Sequence, residues 1–316
     1  MIKPMNKKPV IIDMDGDLDN LIALRYALQS PGLQVLGVST VHGFYSVHWA
    51  AARVAKFLEA AGEQIPVLEG AAAPLMRPRM EKTLQDPEFY AIPHTEPAWE
   101  WMYRQMMASQ EPVTICLLGP ATNLAMLLRR HPDAASRIAQ ILFASGSYAF
   151  GTVTASACHK VYFDAEAMQV VMHAGIPFTM MSVDVTSGFV DGIRLDQLLE
   201  SWAGSLWIGV KQDCALCTAA NRVLRTPMAL VTLTHPELFT HGNYKCEVEL
   251  HGTYTYGMTV VCLNNFDGIK VFEDGTKDRM EVREADKNIC YIHEFDTNRV
   301  MELIAQQVSG LEEVSG

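Results

Sequence analysis

Positive charge is scarce in this chain: 25 Lys and Arg stand against 36 Asp and Glu in 316 residues, a formal net charge of −11. Nucleic-acid and anionic-membrane surfaces need basic side chains to neutralise phosphates, so neither partner is expected, and a small neutral or cationic ligand is favoured. No apolar run approaches the ~18 residues of a membrane-spanning helix. The residues from Met1 to Lys8 are basic but lead into a short apolar strand and then aspartates, so no signal peptide is expected. The cysteines number seven, an odd count, and Cys116, Cys246, Cys262 and Cys290 stand in apolar contexts. A disulfide framework is therefore not expected, and a reduced, cytoplasmic protein is. Repeats, low-complexity tracts and Gly-Ser linkers are also missing, which leaves residues 1–316 as a single domain.

What is present is an alternation of short β-branched runs with helical patterns. Strands are expected at Pro9–Asp13, Leu33–Thr40, Pro112–Leu118, Ile138–Ala144 and Pro177–Val183. Helices are expected at Leu18–Ser30, Ser46–Ala61, Ala121–Arg130 and about Asp164–Ala174. This order predicts an α/β fold with a central, mostly parallel sheet flanked by helices, a Rossmann-like core whose ligands bind beyond the carboxyl ends of the strands. Residues 190–225 read as two helices, 244–262 as a C-terminal β-hairpin around Gly252 and Gly257, and 298–309 as a closing helix. The Pro-, Arg- and Glu-rich stretch between Gly70 and Pro97 has no periodicity and reads as a flap over the site or as surface decoration.

The sharpest chemical signal is the run Asp13-Met14-Asp15-Gly16-Asp17-Leu18-Asp19-Asn20. Alternating aspartates between a buried strand and a helix sit on one turn, where their side chains converge. Divalent-metal binding, general-base chemistry on water and phosphoryl transfer are open to such a turn, as is simple capping of the helix that starts near Leu18. An EF-hand loop is excluded, because its sixth position is Leu18 and its twelfth Leu24, where Gly and Glu are required. A haloacid-dehalogenase-like phosphatase would need Thr where Asp17 stands, and Val183-Asp184-Val185-Thr186 offers one carboxylate where that family has a pair.

The run resembles the Asp-x-Asp-Pro-Gly-x-Asp-Asp signature of the nucleoside hydrolases. Ser39-Thr40-Val41-His42-Gly43, Leu118-Gly119-Pro120-Ala121-Thr122-Asn123, Tyr162-Phe163-Asp164-Ala165-Glu166-Ala167 and Val183-Asp184-Val185-Thr186 resemble further motifs of that family, in order. Val248 to Gly252 and Tyr256 to Val260 resemble its terminal hairpin. The resemblance implies a hydrolase that cleaves the N-glycosidic bond of a ribonucleoside, with a bound Ca²⁺, through an oxocarbenium-like state. It implies Asp15 as general base and metal ligand, Asp19 as the grip on the ribose hydroxyls and Asp13 and Asp17 as supports. Leu118 is implied as a main-chain metal ligand, and a homodimer or homotetramer as the assembly.

Several positions depart from the family's pattern. Asn20 and Thr226 stand where it has metal-binding carboxylates, and Arg225 where it has a histidine held to protonate the leaving base, a task arginine cannot perform near neutral pH. Phe44, Thr152, Cys158 and Lys160 replace polar or acidic residues of the ribose pocket. The exchanges remove carboxylates and add cations, so calcium binding is expected to be weak or lost. Lys160, Arg225 and Thr152 then join the substrate side, and Asn20, Thr226 and Leu118 remain the candidate metal positions beside Asp15. An offset alignment would instead place ligands among Asp17, Glu166 and Asp184. The alternative function is a family-like protein that binds a ribosyl or phosphorylated ligand without turnover.

Other features read as structural. Cys214 and Cys217 have the spacing of half a zinc site but no second pair. Trp99, Trp101 and Tyr103 alternate with Met102 and Met106 as buried packing does. Among the scattered histidines His42, His159, His173, His235 and His241, His159 stands out, because Cys158 and Lys160 flank it.

Overall fold

A computed structural model describes residues 7–76, 96–186 and 225–309. The strands are β1 (Lys8–Met14), β2 (Leu33–Thr40), β3 (Val67–Glu69), β4 (Val113–Leu117), β5 (Ile138–Phe143), β6 (Phe178–Met180), β7 (Phe239–Tyr244), β8 (Cys246–Val248), β9 (Thr259–Val261), β10 (Phe266–Val271), β11 (Lys277–Glu281) and β12 (Ile289–Phe295). The helices are α1 (Leu18–Gln29), α2 (Val47–Ala61), α3 (Ala98–Ala108), α4 (Thr122–Arg130), α5 (His159–Tyr162), α6 (Ala165–Met172), α7 (Val183–Thr186), α8 (Arg225–Thr234) and α9 (Thr297–Ser309).

Eight strands form the main sheet in the order β3-β2-β1-β4-β5-β6-β12-β7, parallel throughout except for β7. Alternation along the strands builds two cores. In β1, Val10, Ile12 and Met14 face one side with α1, α2, α8 and α9, while Ile11 faces the other with α3, α4 and α6. β4 divides likewise, Cys116 going to the first side and Val113, Ile115 and Leu117 to the second. Near-continuous apolar strands of this kind are what a sheet covered on both faces requires. The chain winds outward from β1 in one direction and from β4 in the other, so their carboxyl ends diverge and leave a crevice at the switch point.

The antiparallel pair β8–β9 is the expected hairpin, while the exposed pair β10–β11, the edge strand β7 and its neighbour β12 have no counterpart among the expected elements. One boundary is corrected: the strand expected to run to Val183 ends at Met180, and Val183–Thr186 is a helical turn. There the Thr186 hydroxyl bonds back to the Ser182 and Val183 carbonyls, which an extended chain does not permit. The two helices expected within 190–225 lie almost wholly outside the described residues, as do most of the expected flap and the Cys214–Cys217 pair. Trp101, Met102 and Met106 are buried, the packing role expected for α3.

Asn123, in the first turn of α4, ties the crevice together. Its Nδ2 donates to Asp13 Oδ1 at 2.7 Å and to the Thr40 carbonyl at 2.9 Å, and its Oδ1 accepts from the Ala71 N–H at 2.8 Å. One side chain therefore joins the ends of β1 and β2 to the loop after β3. Asn123→Ala leaves the buried Ala71 N–H without its acceptor, while Asp13 Oδ1 keeps Ser39 and the Thr40 carbonyl keeps the Gly70 N–H, and it is expected to cost about 2 kcal/mol. Urea unfolding at unchanged m value checks this, and a loss below about 1 kcal/mol would contradict it.

Candidate active site

The expected aspartates meet in the crevice. Asp13 ends β1, fully buried, and its Oδ1 also accepts from Ser39 Oγ at 2.7 Å. Burial pushes the Asp13 carboxyl up to about 7, against the lowering effect of the Asn123 and Ser39 hydrogen bonds and with help from the Asp15 charge. Gly16 makes the turn possible with φ +78°, and a Cβ on Gly43 would lie 2.8 Å from the Asp15 Cβ. Asp15 is 1% exposed; its Oδ1 receives the Asn20 side-chain N–H, and its Oδ2 has no hydrogen-bond partner. Asp17 occupies the N-cap position of α1 but makes no capping hydrogen bond. Capping is therefore not what the run of acids is for. Asp19 Oδ2 accepts the Thr226 backbone N–H at 3.2 Å, which brings the start of α8 to the turn.

Lys160 is 4% exposed and directs Nζ at Thr226 Oγ1, 3.4 Å away. Burial lowers the Arg225 guanidinium from its ordinary value, with the Asp19 charge opposing. Cys158 is buried, and its Sγ accepts the Gly146 N–H. Thr152 is exposed and uses its hydroxyl to accept the His159 N–H at 3.2 Å, so it shapes the loop before α5. Leu118 is fully buried at the end of β4, its N–H on the Asp13 carbonyl at 2.7 Å.

His159 joins this group. Its Nε2 lies 3.7 Å from Asp15 Oδ2 and 3.6 Å from Asp17 Oδ2, and its ring packs against Phe44 with centroids 5.1 Å apart. Burial alone would lower the imidazole, but the Asp15 and Asp17 carboxylates outweigh it and hold the group at about 9. Asp15, Asp17 and His159 bring one ligand atom each within 4.8 Å of one another, close enough to share a metal ion. Sequence reasoning noticed His159 only through its neighbours, since 142 positions separate it from Asp17. Of the other carboxylates an offset alignment would recruit, Glu166 accepts the Tyr256 hydroxyl at 2.5 Å, and Asp184 accepts the N–H groups of Tyr148, Ala149 and Phe150. Both serve local structure.

His42 is structural as well. It is 5% exposed, bridges by Nε2 to Thr122 Oγ1 at 3.0 Å, and Thr122 donates to Asp164 Oδ2 at 2.6 Å. Asp164 in turn accepts the Leu75 and Ala167 N–H groups, capping α6.

An open α/β sheet with convergent carboxylates at its switch point defines a protein of the nucleoside-hydrolase type. A family model described as inosine-uridine preferring nucleoside hydrolase matches residues 10–302, and the chain belongs to that family. The pyrimidine-specific ribonucleoside hydrolase RihA of Salmonella typhimurium is 32% identical over 285 residues, spanning 80% of this chain and 88% of that protein. RihA of Escherichia coli O1:K1 aligns with the same identity and coverage. Among solved structures, an inosine-guanosine nucleoside hydrolase superposes with TM-score 0.79 at 20% identity, over 95% of this chain and 98% of its own. A plant nucleoside hydrolase does so with TM-score 0.75 at 24% identity, over 96% and 99%.

Burial holds His42 down at about 4, so the unfolded chain takes up its proton first as the pH falls. Its contribution is complete above about 6.5 and is lost progressively towards pH 4. Between pH 7.5 and 5 the wild type is expected to lose about 2 kcal/mol more than His42→Gln in urea unfolding. Equal losses would contradict the assignment.

Proposed function

We propose that this chain hydrolyses the N-glycosidic bond of a ribonucleoside at the acidic turn after β1. The observation that carries the reading is a set of oxygens the protein leaves without partners among the described residues: Asp13 Oδ2, Asp15 Oδ2, Asp19 Oδ1 and Asn20 Oδ1. Unpaired buried acceptors are costly, so a site keeps them only where a ligand brings the donors. Ribose hydroxyls and a water are such donors.

Asp15 takes a proton from the water as its oxygen attacks the anomeric carbon and the base departs with the bonding electrons. Asp19 grips ribose hydroxyls through Oδ1 while the Thr226 N–H fixes Oδ2. Asp13 and Asp17 support the turn, and Lys160, Arg225 and Thr152 stand on the substrate side. The developing positive charge on the ribose is met by the carboxylates in a poorly hydrated crevice, where their effect is largest.

Calcium, which the family resemblance implies, does not fit the family's positions here. It wants six to eight hard oxygens. Asn20 offers a single neutral amide oxygen where the family has a carboxylate, Lys160 brings its ammonium to Thr226 Oγ1, and Arg225 stands next to Thr226 in sequence. A divalent cation there meets the Lys160 and Arg225 cations beside the carboxylates, so no step is routed through it. A cytoplasmic homodimer or homotetramer completes the proposal; among the described residues no helix is long and apolar enough to cross a membrane.

One arrangement favours a second reading, binding without turnover: Asn20 engages one Asp15 oxygen and His159 faces the other. Ribose release from uridine, cytidine, inosine and adenosine separates the two, with the pyrimidine nucleosides expected first by the 32% identity to RihA. Wild-type protein is expected to release ribose, and Asp15→Asn to lose roughly 10²- to 10⁴-fold in kcat/KM with its fold intact. Nucleoside binding without ribose release would support the second reading.

A further inference from the structure

We propose that Asp15, Asp17 and His159 form a mixed oxygen-and-nitrogen site for a borderline divalent cation of the zinc and manganese class, displaced from the family's all-oxygen calcium position. The distances are the first argument. At 3.7 and 3.6 Å, the His159 Nε2 contacts to Asp15 Oδ2 and Asp17 Oδ2 are longer than hydrogen bonds. They are close to the edge of a tetrahedron around an ion with metal–ligand bonds of about 2.1 Å, which is roughly 3.4 Å.

Asp15 Oδ2 and His159 Nε2 are both buried with no hydrogen-bond partner, although each carries a strong acceptor or donor. Two orphaned atoms that face each other across this gap lack the same thing, and one ion supplies it to both.

Each ligand is also held in place. Asn20 binds the other Asp15 oxygen and leaves Oδ2 turned towards His159. The His159 ring is fixed by Phe44 and by Phe163 edge-on with centroids 6.0 Å apart, while its backbone N–H is held by Thr152 Oγ1. Asp17 is free for the role because it does not cap α1. Orienting contacts of this kind are what a metal ligand needs.

The donor set then selects the ion. An imidazole nitrogen with two carboxylates suits zinc, manganese, iron or cobalt, whereas calcium has little use for nitrogen. Three protein ligands leave a fourth position open, the pattern of sites that bind water or substrate. As a binding claim this does not depend on the nucleosidase reading, since it is measured without substrate.

The test is calorimetric titration of the full chain, stripped with chelator, with Zn²⁺, Mn²⁺ and Ca²⁺ in turn, together with thermal melts at each ion. One Zn²⁺ or Mn²⁺ per chain is expected, bound on the order of 100-fold more tightly than Ca²⁺, with Tm raised by the ion. His159→Phe is expected to weaken Zn²⁺ and Mn²⁺ on the order of 100-fold and to abolish the Tm shift. Asp17→Asn, at a partly exposed position, gives the same direction should the first variant fold poorly. Calcium bound as tightly as zinc, no binding of either borderline ion, or affinity unchanged in both variants would each overturn the proposal, including the case of zinc held at cysteines.

Discussion

Everything distinctive about this site follows from one electrostatic constraint: carboxylates converge at the end of a buried strand, where water solvates them poorly. Burial makes a carboxylate harder to ionise, and Asp13 is pushed up to about 7 despite the hydrogen bonds it accepts from Asn123 and Ser39. Asp15, Asp17 and Asp19 are met instead by groups brought from distant parts of the chain. His159 faces Asp15 and Asp17, while the start of α8 brings the Thr226 N–H to Asp19 and sets Arg225 beside it. Lys160, one residue from His159, points at Thr226 from the other side.

Of those groups, Lys160, Arg225 and Thr226 are positions that the sequence resemblance marks as departures from the family's motifs. The fold is retained because the sheet and its two cores are set by residues such as Val10, Ile12, Ile115 and Leu142, far from the changes. The pocket is thereby free to alter how its negative charge is balanced while keeping the turn that carries it. Asn123 is the link between the two layers of organisation, since it holds the ends of β1 and β2 from α4 and so fixes where Asp13 points.

The sequence made the parallel core legible because strands buried on both faces leave unbroken apolar runs and the helices between them keep their period. Leu33–Thr40 was readable to the residue for that reason. The edge strand β7 and its neighbour β12 were not, since Thr240, His241 and Gly242 mix with Glu294 in no clear alternation and pair only through long-range register. The acidic turn was legible as a local run, and the family resemblance supplied Lys160, Arg225 and Thr226 as neighbours. The contact of His159 with Asp15 and Asp17 was not, because it depends on how a loop after β5 folds back, and nothing local marks that path.

The central claim, that Asp15 directs water onto the anomeric carbon of a ribonucleoside, is tested most directly by turnover in ¹⁸O-labelled water with mass analysis of both products. The account predicts one ¹⁸O in the released ribose and none in the free base. Unlabelled ribose, or intact nucleoside after prolonged incubation, would contradict it.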